Sequence, residues 1–404
     1  MQQIPVQVNE ALQERDDNLT TAISHILIEE LDTHILPCVI VPLSFKEAVT
    51  LEKSFNKNLT NIKLTDSQSF TIIESLNKRI DSLLLITQNP IGPNGKYFVK
   101  LSLLSPKDVV LQPNNKKTIN NLRKQLDILW DATADEGRSK ISIESTAVAR
   151  ALLQAFYDSM LVENHEIISL LLRSNRVHSE LLESTLVEER YANTAIIIRP
   201  WVNIESGFEF RVFVNDLRIT SISQYEAVYY PRVYAERFIT KEKIVQFVNN
   251  HVINNLKNRL RSFIVDVVLV GDRFYVCELN PFSQSSGSCL FSWQIDRQQL
   301  HSGETQFRVV PPPNYPCNYE KRFVIVYKQI DDTVIEKIVD DGTDNKGLRL
   351  PLEWQIEIVN YWNFKLKKRN YLKLTKIAVV SLLAIGITYF TFKTLQNKNQ
   401  YNKI

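Results

Sequence analysis

The stretch FIVDVVLVGDRFYVCELNPF, Phe263 to Phe282, constrains the fold more than any other part of the chain. β-branched and aromatic residues run on either side of a glycine, which reads as two strands around a tight turn. Each strand carries a carboxylate, Asp266 and Glu278, where a sheet facing a core would carry apolar residues. A three-residue loop over Gly271, Asp272 and Arg273 pairs Val270 with Phe274 and sets Asp266 directly opposite Glu278. Asn280 then projects from the same face. Two opposed carboxylates repel unless a cation lies between them, and three hard oxygen donors at this spacing suit Mg²⁺. A two-residue turn would slip the register and send Glu278 to the other face. The same pattern also describes a hairpin face whose acids stand in water.

A second hairpin lies in EFRVFVNDLRITSISQ, Glu209 to Gln224, turning at Asn215-Asp216. Phe210, Val212 and Val214 alternate with Glu209, Arg211 and Phe213, and Leu217 and Ile219 join the apolar face. Arg211 therefore sits away from that core, where its fork of donors suits a phosphate or carboxylate, although arginines are common on strand surfaces. In KYFVKLSLLSPKD the face of Tyr97, Val99, Leu101 and Leu103 opposes that of Phe98, Lys100 and Ser102. Lys100 is either a solvated lysine or a phosphate contact projecting from a strand.

Elsewhere helical and strand signals mix, so the fold class is α+β. Residues 1–34 carry apolar residues at helical spacing, and CVIVPL reads as a short strand. Ser44 and Glu47 form a capping box at a helix start. SLLLIT reads as a strand, helices follow around 116–130 and 144–160, and TAIIIRPW is a strand. One helix falls near 240–261, and residues 305–360 are proline-punctuated and less regular.

The 404 residues, 44% hydrophobic and 23% charged, are enough for a sizeable core. With only 10 glycines and neither GxxxxGK[ST] nor GxGxxG, the common glycine-rich phosphate loops are excluded. The four cysteines show no CxxC, and Cys277 and Cys289 read as small core residues, a usage that fits a reducing compartment. Six histidines without paired spacing leave no basis for structural zinc. From Ile358 onward there are nine Lys and Arg and no acid, which leaves 39 basic against 45 acidic residues in the body. Such a body lacks the basic excess that nucleic acid demands. Ile377 to Phe392 is a run of 16 uncharged, mostly apolar residues between Lys376 and Lys393. With snorkelling lysines it reaches the length of a membrane span, and it is expected to act as a tail anchor. The preceding KLKKRNYLKLTK suits an anionic membrane surface.

Taken in order, CVIVPL, YFVKLSLLSPKD, LLLRSN, IIIRPW, EFRVFV, ISQYEAVYY, FIVDVVLV, CELNPF, CLFSW and FRVV resemble the cell division cycle 123 (D123) family, whose members have an ATP-grasp-type fold. The resemblance implies two lobes with a nucleotide site between them, and ATP and Mg²⁺ as cofactors. Lys100 would reach the α/β-phosphates, and Arg173 would stand where the family usually has a lysine and contact phosphate. Arg199 and Trp201 would lie on the hinge strand beside the adenine, and Arg211 near the γ-phosphate, the position of a catalytic arginine. Asp266, Glu278 and Asn280 match the metal ligands, Glu278 replacing an aspartate. Two positions depart from the family pattern: QRD is QYE here, with Tyr225 and Glu226, and an acidic position is Gly287.

The expected organisation is an N-terminal helical extension (1–36), an N-terminal lobe (37–198), a C-terminal lobe with the metal site (199–310), an irregular basic connector (311–370) and the tail anchor (371–404). The resemblance implies an ATP-dependent protein-assembly factor of the translation initiation factor 2 type, engaging the gamma subunit. It would face the cytosol from an intracellular membrane and bind no nucleic acid. An ATP-grasp ligase joining a carboxylate to an amine through an acyl phosphate, and a degenerate membrane-tethered scaffold, are the alternatives.

Overall fold

The computed structural model describes residues 28–55, 67–86, 95–112, 115–133, 146–186, 194–202, 204–312, 358 and 360–368. Most of the expected N-terminal extension and the expected anchor, including residues 377–392, lie outside the described residues. Among the described residues no helix is long and apolar enough to cross a membrane.

The fold is α+β and contains two sheets. β1 (Val39–Pro42), β2 (Tyr97–Leu101) and β3 (Ala195–Pro200) form an antiparallel sheet in the order β1-β3-β2. Every residue of β3 is buried, as expected of a central strand covered on both faces. Helix α1 (Phe45–Lys53) starts with the capping box: Ser44 Oγ accepts from Glu47 N–H, and the Glu47 carboxylate accepts from Ser44 N–H at 2.8 Å.

SLLLIT is not a strand. Ser82 to Ile86 ends helix α2 (Ser67–Ile86), whose Ile73, Leu76 and Ile80 are buried at helical spacing, with Leu83 and Leu84 continuing the stripe. An apolar run this short has no period of its own, and the pattern one turn upstream decides its form. Helices α3 (Lys116–Ala132) and α4 (Thr146–Met160) pack against each other, and α5 (Asn175–Leu186) packs on α1. The expected irregular connector is also corrected at its end. Ile358 and residues 360–368 are helical, and Ile358 and Trp362 pack on Leu122, Leu126 and Trp130 of α3.

The second sheet has the order β7-β6-β4-β5-β8, built from β4 (Glu209–Asn215), β5 (Arg218–Gln224), β6 (Phe263–Val270), β7 (Arg273–Pro281) and β8 (Gln306–Arg308). Helix α6 (Arg237–Phe247), continued by a π-helical segment, Val248–Ile253, covers one face. Its Ile244, Val248 and Val252 meet Phe210, Val212 and Val265.

Both hairpins turn differently from the expectation. In β6–β7 Val270 pairs with Arg273, so the loop is the two residues Gly271-Asp272, with Gly271 at φ 63°. A glycine at positive φ in the first loop position lets a turn match the twist of its strands. That register alone would send Glu278 into the core. A β-bulge restores it: Val276 pairs with Val267 but Glu278 pairs with Asp266, and Cys277 is the extra residue. The core side of β7 accordingly reads Phe274, Val276, Leu279, a spacing of two and then three. In β4–β5 the loop is Asp216-Leu217, at φ 49° and 61°, not Asn215-Asp216.

Candidate functional site

Between the two sheets and the α3–α4 pair lies a cleft of about 490 Å³. Its walls come from β2 and the loop after it (Lys100, Lys107), the end of β3 and its exit (Arg199, Trp201), and the polar face of the second sheet (Glu209, Glu278). The antiparallel register brings the polar residues of that face together, with Arg211 beside Asp266 and Asp266 beside Glu278.

The acids of the hairpin are paired with the protein's own cations. Asp266, 1% exposed, accepts from Arg211 Nε at 2.8 Å and Nη2 at 2.7 Å, a bidentate ion pair. Asn280 Nδ2 donates to the same carboxylate at 3.1 Å, and Arg211 Nη1 donates to the Gly287 carbonyl at 2.5 Å. Glu278 pairs with Lys100, which is 3% exposed and therefore not a solvated lysine. Burial by itself would raise the Glu278 carboxyl, but Lys100, then Lys107 and Arg199, outweigh it and hold the group at about 2. Asp266 moves the other way: burial lifts it above the ordinary carboxylate range against the pull of Arg211.

The structure adds residues that the sequence pattern left unassigned. Lys107 donates to the Tyr225 hydroxyl at 3.4 Å, and its ammonium is held above the usual lysine range by Tyr225, Glu209 and Glu278. Glu209 is raised to about 8, first by burial and then by Asp266, so it stays largely protonated at neutral pH. Glu209 lies two residues before Arg211 on one strand face, and Lys107 shares the KYFVKLSLLSPKD motif with Lys100, so both were within reach of strand alternation and motif position. Tyr225 carries its ring beneath the Arg211 guanidinium, 5.2 Å away. Glu226 accepts from the hydroxyls of Tyr157 and Tyr230, and burial raises it despite them. Gly207, at φ 79°, lets the Tyr230 ring pass: a Cβ there would lie 2.5 Å from it. Glu180, further off, receives Leu103 N–H at 2.8 Å and Leu104 N–H at 2.7 Å and fixes the loop after β2.

The remaining expected residues divide. Arg199 and Trp201 line the cleft. Arg173 does not: it is exposed, its Nε donating to the Ser169 carbonyl. Cys277 is not a core residue either, because the bulge turns it into the cleft wall, where Arg199 Nη1 lies 3.7 Å from its sulfur. Burial pushes its thiol up to about 12, which leaves it unreactive.

The chemistry of the cleft fits a magnesium nucleotide on two counts. Glu278 on the cleft wall, with Asp266 and Asn280 next to it on the sheet face though not lining the cleft, puts three oxygen donors on adjacent positions, the donor type that Mg²⁺ takes. Arg199 is 5% exposed and lies beside the Cys38 and Cys277 thiols, and among the described residues its Nε and Nη2 are buried with no hydrogen-bond partner, a state that an anion in the cleft would relieve.

Comparison with known proteins bears on the same residues, since the stretch 154–325 matches the D123 family. The chain is similar to the "Translation initiation factor eIF2 assembly protein" of Candida albicans, 36% identical over 147 residues, 35% of this chain and 42% of that protein. The protein of the same name from Dictyostelium discoideum is 24% identical over 195 residues, 46% of this chain and 49% of that protein. The chain thus spans less than half the length of these relatives. Among solved structures, Cdc123 from Schizosaccharomyces pombe aligns with a TM-score of 0.45 at 16% identity, covering 74% of this chain and 98% of that one.

Proposed function

We propose that this chain binds Mg·ATP in the cleft and acts as an ATP-dependent assembly factor for a protein partner, tethered to an intracellular membrane by residues 377–392. The relatives' names point to translation initiation factor 2 as the partner class. One observation carries the nucleotide reading: a buried arginine, Arg199, with two donors unpartnered among the described residues, beside a cleft that also presents Lys100 and Lys107. Three cations converging on one cavity are an electrostatic site for a polyphosphate. Asp266, Glu278 and Asn280 would hold the ion, which when bound neutralises charge on the phosphates.

Within the chain itself, Lys100 and Arg211 neutralise Glu278 and Asp266. The site therefore does not depend on an ion for folding. Metal and nucleotide would instead exchange partners with it together: the ion takes the carboxylates while the phosphates take the freed ammonium and guanidinium groups. Either alone would leave one set of buried charges unpaired, so each is expected to bind weakly without the other.

Calorimetric titration of the full chain in detergent tests this. Mg·ATP should bind in the micromolar range, EDTA should weaken binding at least tenfold, and Arg199→Met should weaken it by about tenfold to a hundredfold. Absence of any heat with the folded chain would sink the reading. ADP release on adding a carboxylate and an amine would move the assignment to the ligase.

A further inference from the structure

The wall of the cleft contributed by α3 and α4 has a polar pair that the phosphate end does not explain. Gln125 on α3 and Gln154 on α4 both line the cleft. Each is one helical turn from apolar lining residues, Ile128 and Ala151, while the neighbouring stripe of Leu122, Leu126 and Leu152 is packed away under the C-terminal helix. Between the glutamines stands Asp158. Gln125 Nε2 donates to its Oδ2 at 2.8 Å and Gln154 Nε2 to its Oδ1 at 2.9 Å. A carboxylate offers acceptors only, so both amides are forced to turn their nitrogens to it, and neither can flip. Each Oε1 is thereby set as an acceptor, and neither accepts a hydrogen bond within the described residues.

From this arrangement we infer that Gln125 and Gln154, oriented by Asp158, are specificity residues that select a base bearing an amino group, adenine, over one bearing a carbonyl there. The inference rests on the Mg·ATP reading of the cleft. The cleft lining combines cations, Lys100, Lys107, Arg150 and Arg199, with apolar surface from Ile128, Ala151 and Trp201. A triphosphate held by Lys100, Lys107 and Arg199 would lay its planar base against the apolar part of the lining, where apolar walls accept the ring faces and a few polar groups read its edge. Two fixed carbonyl oxygens there accept from an exocyclic amine. A ring carbonyl at the same position would meet them oxygen to oxygen, unpaired and partly desolvated, which is how such sites reject an analogue. Asp158 acts through the glutamines as a positioning residue.

The experiment is competitive calorimetry on the full chain with Mg·ATP, Mg·ITP, which has a carbonyl in place of the amine, and the triphosphate of purine riboside, which has neither. ATP should bind about tenfold to a hundredfold more tightly than ITP, with the unsubstituted purine between them. Gln125→Leu/Gln154→Leu should bring the ATP-to-ITP ratio below about threefold, weakening ATP and relieving the penalty on ITP. Asp158→Asn, which keeps the shape but lets both amides flip, should lower the ratio in the same direction if the leucine variant does not fold. Equal affinity of the wild-type chain for ATP and ITP overturns the inference and leaves the Mg·ATP reading standing, as does a full ratio retained in the variants. No binding of any triphosphate overturns both.

Discussion

At the scale of single residues, the cleft is a case of charges neutralised across the chain. Lys100 and Glu278 are 178 residues apart in sequence and meet in a largely buried pair. Removing one partner of such a pair leaves the other charge desolvated and unmatched, which costs more than the pair itself contributes. Lys100→Met should destabilise the fold by about 3 kcal/mol in urea unfolding at pH 7, and Lys100→Met/Glu278→Gln should recover more than half of that. Simple additivity of the two single losses would show that the pair is uncoupled. The same pair fixes an acid limb. Glu278 moves from an ordinary 4.5 to about 2 in the folded chain, so its contribution is complete above 4.5 and is lost as pH falls through about 2. Glu278→Gln should flatten that limb.

At the scale of elements, two glycines at positive φ do different work. Gly271, at φ 63°, has nothing within 4 Å of where a Cβ would sit, so Gly271→Ala meets only backbone strain, about 1 kcal/mol. Gly207, at φ 79°, adds a steric clash with the Tyr230 ring that shares Glu226 with Tyr157. Gly207→Ala should therefore cost at least twice as much in thermal or urea unfolding. Equal costs would mean that the Tyr230 ring yields freely. The capping box of α1 was legible from Ser44 and Glu47 because both partners lie within one turn. The faces of β4 and β6 were legible for a similar reason, since alternation is a property of neighbouring residues. The bulge at Cys277 left its trace in the spacing of Val276 and Leu279, but the position of Glu278 does not separate a two-residue loop with a bulge from a three-residue loop without one. Both put Glu278 opposite Asp266, by different routes.

At the scale of the whole molecule, the helical residues 358 and 360–368 tie the end of the described chain to the outer side of the α3–α4 pair, whose inner side lines the cleft. Lys365 pairs with Asp127 there, and the Trp362 and Trp130 rings meet edge to face at 5.2 Å. Truncation before residue 358 should strip cover from Leu122, Leu126 and Trp130 and speed hydrogen exchange across α3 and α4, with the sheets unaffected. Unchanged exchange in these helices would place that helix elsewhere. Local chemistry alone determined the α+β class, the helical stripes and the apolar faces of the hairpins, because each depends on residues a few positions or one strand apart; the convergence of Asp266, Glu278 and Asn280 on one side took a bulge that the expected turn did not contain. Tertiary structure decided what those acids face. Lys100 and Arg199 from the other sheet and Lys107 from the short helix after β2 act on Glu278, Arg211 closes on Asp266 across a strand pair, and Gln125 and Gln154 are turned by a carboxylate on α4. No periodicity encodes these partners, because the Coulomb and hydrogen-bond terms that fix them act through space between segments that only the folded chain brings within a few ångströms.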